Sequence, residues 1–154
     1  MKRLIAVIGT CVVLFMTSGA TADDLSVADN WIAAWNAHDV NRVLGVFTSD
    51  VLYEDVPLGV VNQGAEELGA FATGVFAAVP DLRLDLVNAS LKGGHGTIEW
   101  IFSGTDVGLY RTGRRFSVRG ASVIDVHGQS IARNSDYYDL ATLQRQLGLL
   151  PPGL

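Results

Sequence analysis

The sequence predicts an α+β domain: a cone-shaped, curved antiparallel sheet packed by three N-terminal helices. Three observations predict it. Apolar residues recur at helical spacing in three stretches before residue 80. After Pro80-Asp81 the apolar period drops to two, as in half-buried strands. The late strands are joined by short connections, which makes sequential strands antiparallel neighbours. Helices gathered on one face of such a sheet give an α+β layer architecture.

The elements follow in order. Residues 25–38 predict a helix, with Ser26 as N-cap and Leu25, Ala28, Trp31, Ile32 and Trp35 at helical spacing. Asn41 to Phe47 predicts a second short helix, with Val43, Leu44 and Phe47 on one side. Val51 to Asp55 is a short strand stopped by Pro57 and Gly59. Glu66 to Val79 is a third helix whose apolar side is Leu68, Phe71, Val75 and Phe76. Strands are then expected at Leu82–Ala89, Thr97–Ser103, Phe116–Val126 and Ser130–Tyr138. Gly93 to Gly96, Gly104 to Gly113 and His127 to Gln129 are the connections, and 140–147 is a closing helix.

The N-terminus reads as a cleavable signal, residues 1–22. Lys2 and Arg3 precede an apolar run from Leu4 to Met16, and Ala20-Thr21-Ala22 supplies a small-residue cleavage site. That run is shorter than the roughly 20 residues a membrane-spanning helix takes. Cleavage after Ala22 would leave residues 23–154 as one secreted or periplasmic domain with no stable membrane anchor. Cys11 would leave with the signal, so the domain's core must suffice without a disulfide. Lysine plus arginine falls from 11 to 9 against 16 acidic residues, taking the net charge from −5 to −7. An acidic domain without a basic stripe argues against nucleic acid and anionic membranes as partners.

The last strand carries the first candidate for chemistry. Alternation places Ala132, Asn134, Asp136 and Tyr138 on one face, and Arg133, Ser135 and Tyr137 on the other. Aspartate is disfavoured in strands, so Asp136 needs a reason. On an interior face, burial would raise its pKa and make it a usable acid or base. On the other reading it pairs with an arginine such as Arg119. Pattern alone leaves the two even.

Tyr53-Glu54-Asp55 is the second cluster. Tyr53 and Asp55 alternate onto one face, where a phenol and a carboxylate can hold a water or a substrate oxygen; a surface strand end is the plainer reading. His38-Asp39 ends the first helix, where a cationic histidine suits the helix dipole. His95 sits in a glycine-rich turn and is expected to be solvated. Trp31, Trp35, Trp100 and Phe102 suit a pocket lining, and suit an ordinary core at least as well. Neither a phosphate-binding glycine loop nor a G-x-S-x-G elbow is present, and no histidine pair has metal-ligand spacing. No metal and no cofactor are therefore expected.

Several segments together carry a resemblance. They are Trp35-Asn36-Ala37-His38-Asp39, Tyr53-Glu54-Asp55-Val56-Pro57-Leu58, Gly104-Thr105-Asp106-Val107-Gly108, Thr112-Gly113-Arg114 and Asp136-Tyr137-Tyr138-Asp139-Leu140. In order and spacing the chain resembles the SnoaL-like polyketide cyclases and limonene epoxide hydrolase. Both have the cone fold of nuclear transport factor 2 and ketosteroid isomerase. For the hydrolases the resemblance implies a last-strand carboxylate that activates a water held by a tyrosine and an asparagine. It further implies a second carboxylate in an Arg-x-Asp pattern. Asp136 matches the base and Tyr53 the tyrosine, while Asp55 stands in the asparagine's place. The Arg-x-Asp pattern is absent, since its strand reads Glu99-Trp100-Ile101-Phe102-Ser103-Gly104. For the cyclases the resemblance implies Asp136 as acid/base of an aldol-type ring closure. Asp106 stands where those proteins commonly have histidine.

Three functions are thus in play. The first is a cofactor-independent enzyme doing acid–base chemistry on a small apolar carbonyl or epoxide compound: cyclisation, isomerisation or hydrolysis. Its catalytic residues would be Asp136, Tyr53 and Asp55. Asn134, Tyr138, Trp31, Trp35, Trp100 and Phe102 would contact the substrate. If Asp55 and Asp136 both face the pocket within a few ångströms of each other, they should share a proton, giving one acid and one base. The second is a non-catalytic binding protein for a small apolar ligand. The third is a homodimer built through the outer face of the sheet.

Overall fold

A computed structural model describes residues 22–151. The predicted signal lies outside the described residues except for Ala22, where the first helix begins. The element order is α1 (Ala22–Asn36), α2 (Val40–Leu44), β1 (Phe47–Asp55), β2 (Val60–Gln63), α3 (Gly64–Ala78), β3 (Arg83–Lys92), β4 (His95–Thr105), β5 (Arg115–His127), β6 (Ser130–Tyr138) and α4 (Leu140–Gln146). Among the described residues no helix is long and apolar enough to cross a membrane.

The six strands form one curved sheet in the order β2-β1-β6-β5-β4-β3. Every pairing is antiparallel except β1 with β6, which run parallel. The expected all-antiparallel sheet is therefore mixed. The reason is topological. The β1–β2 hairpin lies at one edge, and α3 carries the chain across the sheet to β3 at the other. Four antiparallel strands then return β6 beside β1, pointing the same way.

Strand β2 is absent from the sequence-based element list. It is only four residues long, too short for a period to declare itself. Its hairpin is made by Pro57 to Gly59, with Gly59 at φ 66° and its N–H bonded to Val56 O at 3.1 Å. The second helix is shorter than expected. The Val46 N–H closes on Val43 O at 3.2 Å, and Phe47 is already paired with Ile131 in the sheet. Phe47 thus packs from a strand, not from a helix face.

His38 and Asp39 lie beyond the first helix and not in its last turn. The first helix stops at Asn36, and His38 adopts φ 53°. Its Nε2 lies 2.8 Å from Leu82 O, and its ring stacks on Phe76. Asn36 adds two bonds to the Leu84 backbone, both at 2.8 Å. Together these tie the end of α1 to β3, the exposed-edge strand that would otherwise offer unpaired backbone. Asp39 instead caps α2, accepting from the Asn41 N–H at 2.9 Å.

The core lies between the helices and the concave face of the sheet. Trp31 and Trp35 of α1, Val43 of α2, Leu68 and Ala72 of α3, and Leu143 of α4 meet Tyr53, Trp100, Phe116, Val118, Ile124 and Ile131. The inward side of β5 alternates as expected of a half-buried strand: Phe116, Val118, Ile124 and Val126 are buried. Gly120 interrupts that series because the Trp100 ring lies over it, where any Cβ would collide.

Candidate functional site

Strand register assembles a polar stripe on this otherwise apolar inner face. One cross-strand row reads Val60, Asp55, Asp136, Ser122 and Ile98. The neighbouring row reads Asn62, Tyr53, Asn134 and Ile124. Register-paired residues share a face, so Tyr53, Asp55, Ser122, Asn134 and Asp136 converge. Tyr53, Asp55 and Asp136 of this stripe line a cavity of about 300 Å³. Trp31 and Trp35 of α1, Phe71 and Val75 of α3, Trp100 and Phe102 of β4, and Leu143 and Leu147 of α4 supply apolar walls. That volume is in the lower range for small-molecule sites.

Asp136 is 6% exposed and lines this cavity. The Tyr53 hydroxyl donates to its Oδ2. Ser122 Oγ donates to Oδ1 at 2.6 Å, and Asn134 Nδ2 donates to the same oxygen at 2.7 Å. No arginine is bonded to it; Arg119 faces Glu99 at 3.9 Å on the outer surface. Burial raises the Asp136 pKa above the ordinary carboxylate value, and the three neutral donors only partly offset this. Burial, then the charge of Asp136, keep the Tyr53 phenol protonated and available as donor.

Asp55 is 8% exposed and also lines the cavity. Its Oδ1 accepts the Leu58 N–H at 3.1 Å, and the Tyr138 hydroxyl lies 3.1 and 3.2 Å from its two oxygens. Burial pushes its pKa up to about 6, with a smaller contribution from Asp136. Two phenol–carboxyl pairs thus stand side by side, Tyr53 with Asp136 and Tyr138 with Asp55. Both carboxyls favour the protonated form more than a solvated aspartate does, for the same reason, desolvation.

The remaining sequence candidates are placed as follows. Trp31, Trp35, Trp100, Phe102 and Tyr138 line the cavity. Asn134 does not; it is fully buried behind Asp136, and its Oδ1 has no hydrogen-bond partner. Asp106 lines the cavity and is 1% exposed. Burial would raise its pKa, but the N–H groups of Thr112 and Tyr110 and the Thr112 hydroxyl outweigh that and hold it low. It stays an ionised hub of the 106–114 loop. His95 is largely exposed and lies 2.6 Å from Asp125. Glu99 points away from the cavity face, as its half-exposed side chain shows.

Sequence reasoning missed Ser122. It bridges Trp100 Nε1, which donates to it at 2.9 Å, and Asp136, to which it donates. A signal existed: a serine stands in the inward series Phe116, Val118, Gly120, Ser122, Ile124, Val126 where an apolar residue is expected. Among the described residues no group of three or more acidic, histidine or cysteine side chains could hold a metal ion.

Comparison with known proteins agrees with this fold. The model of the SnoaL-like polyketide cyclase family matches residues 26–147. The cyclase aurE of Calcarisporium arbuscula is 30% identical over 125 residues, covering 79% of this chain and 92% of that one. A protein of ketosteroid isomerase-like fold from Catenulispora acidiphila, solved in complex with trimethylamine, superposes with a TM-score of 0.74 at 27% identity. It covers 80% of this chain and 93% of its own. TsrD from Streptomyces laurentii superposes with a TM-score of 0.74 at 27% identity, over 84% of this chain and 97% of its own.

Proposed function

The chain belongs to the SnoaL-like polyketide cyclase family, and we propose that it is a cofactor-independent enzyme catalysing an aldol-type cyclisation of a small apolar carbonyl compound. The observation that carries this reading is the setting of Asp136: a buried carboxyl on a cavity wall, held by three neutral donors and facing apolar side chains. A carboxylate that burial makes more basic is suited to removing a weakly acidic proton.

In the proposed reaction Asp136 takes a proton from the carbon next to a carbonyl. The carbonyl oxygen, now an enolate, is stabilised by the Tyr138 hydroxyl, which also lines the cavity. The enolate carbon attacks a second carbonyl of the same molecule, forming the ring bond. The new alkoxide takes back the proton held by Asp136. Atoms balance without water, metal or oxidant. Isomerisation uses the first and last of these steps alone. The missing Arg-x-Asp pattern leaves the hydrolytic variant without its second carboxylate pair.

The test is Asp136→Asn, assayed by α-proton exchange of small diketones followed by NMR. Turnover is expected to fall by about 10²- to 10⁴-fold, the usual worth of a general base, with an unchanged circular dichroism spectrum. Retained exchange would remove Asp136 from the mechanism. Saturable ligand binding by the parent protein with no exchange at all would make it a binding protein instead.

The same proposal places the protein outside the cytoplasm, after cleavage following Ala22. All six strands, helices α2 to α4 and the cavity-lining residues lie after Ala22, so cleavage there would leave them in place. Pairing of two copies through the outer sheet face, where Leu52, Val61 and Tyr137 stand exposed, completes it.

A further inference from the structure

The charges in the cavity are of one sign. Asp55, Asp106 and Asp136 line it, and among the described residues that do so there is no lysine, arginine or histidine. The ion pairs among the described residues lie elsewhere: Arg83 with Asp85, His95 and Arg133 with Asp125, Arg115 with Asp81, and Arg119 with Glu99. Asp106 is occupied by its own loop, and Asp136 holds three separate donors. Asp55 holds fewer, one N–H and one hydroxyl shared between its two oxygens. A carboxylate offers about four lone-pair sites, so Asp55 keeps acceptor capacity unused. A buried carboxylate is ordinarily paired with a cation.

The walls around Asp55 and Asp136 are aromatic. Tyr53 lies 6.1 Å from Trp35 and 5.2 Å from Phe71 between ring centres, and Trp100 lies 6.3 Å from Tyr138. Aromatic faces attract cations, most strongly where water is excluded. We propose that the ligand of this cavity carries a single cationic nitrogen, an alkylammonium or protonated amine on an apolar body, with Asp55 as its counter-charge and the aromatic walls as its cage. The inference rests on the reading of this cavity as the substrate site. It divides the two carboxyls: Asp55 holds the ligand's charge, and Asp136 remains free for proton transfer. It also gives Asp55 a purpose that an asparagine at the same position cannot serve.

The test uses the domain in solution and tryptophan fluorescence with three probes. Benzyltrimethylammonium carries the charge, neopentylbenzene is its neutral isostere with carbon replacing nitrogen, and phenylacetate is an anion. At about pH 8, where solvent-like and modestly raised carboxyls are ionised, the cation is expected to bind at least about tenfold tighter than the isostere. Phenylacetate is expected to bind weakest. The margin should shrink at about pH 5 as carboxyls take up protons. The titratable groups facing the ligand are Tyr53 and Asp55 of β1, Asp136 and Tyr138 of β6, and Asp106 of the loop. The lining residues of α1, α3 and α4 contribute none. Asp55→Asn should abolish the cation's margin over the isostere. Equal binding of cation and isostere would overturn the inference and leave the cavity standing as a ligand site. A full margin in the Asp55→Asn variant would overturn it equally. Binding of none of the three probes would remove both the inference and the site.

Discussion

Ser122 shows how much one uncharged residue can set at this site. It accepts from Trp100 and donates to Asp136, so it orients a wall of the cavity and the buried carboxyl together. Its donation lowers the Asp136 pKa against the larger effect of burial. In Ser122→Ala the carboxyl should therefore rise further, and the acid limb of the pH–rate profile should move to higher pH. Unfolding in urea should show a loss of about 1–3 kcal/mol, because the Trp100 N–H is left buried without an acceptor. An unmoved acid limb would mean that Asp136 does not control the rate. Asp55 predicts the opposite sign in stability. Its pKa goes from 3.8 unfolded to about 6 folded. A raised carboxyl favours folding fully only below its unfolded pKa, and that contribution is lost as pH rises through the folded value. Above about pH 7 the ionised group costs the fold on the order of 1–3 kcal/mol. Asp55→Asn should thus raise the melting temperature near pH 8 and have little effect near pH 4. Thermal melts at the two pH values compare them directly.

At the scale of elements, β4 and β5 decide the shape of the cavity. Trp100 pairs with Gly120 across the two strands, and its ring occupies the space a Cβ would take. That lets the indole lie along the sheet, near Tyr138 and stacked against Trp31. Gly120→Ala should displace Trp100 into the cavity. The expected cost is about 1–3 kcal/mol, the usual range for overpacking a core, with loss of ligand binding as the direct readout. Full binding by this variant would show that the indole can be accommodated another way. The elements themselves were largely legible. Strands β5 and β6 alternate strongly enough that their two faces follow from the sequence, and the structure turns the Asp136 face inward. Strand β2 was not legible, because four residues carry no usable period. Nor was the end of α1, since the bond from His38 to Leu82 and the pair from Asn36 to Leu84 join positions over 40 residues apart.

At the scale of the molecule, one long crossover through α3 explains both the mixed sheet and the site. It brings β6 back beside β1 in parallel, and so places Asp55 directly opposite Asp136. The export and dimer proposals belong to this scale as well. Expression of residues 1–154 in a secreting host should yield a chain whose intact mass begins at Asp23, and light scattering should give twice that mass in solution. A retained N-terminus would refute cleavage, and a monomer mass would refute the pairing. The sequence by itself determined the fold class, the division of the last strand into two faces and the candidates Tyr53, Asp55 and Asp136, because periodicity and residue chemistry are local properties. Only the tertiary structure decided that Asp136 is bonded by neutral donors and not by Arg119, and that Ser122 is one of them. It alone showed that Asp106 serves its own loop and that Asn134 stands behind the wall. Those outcomes depend on register between strands far apart in the chain, on burial, and on which donors arrive within bonding distance, and none of these is written in local spacing.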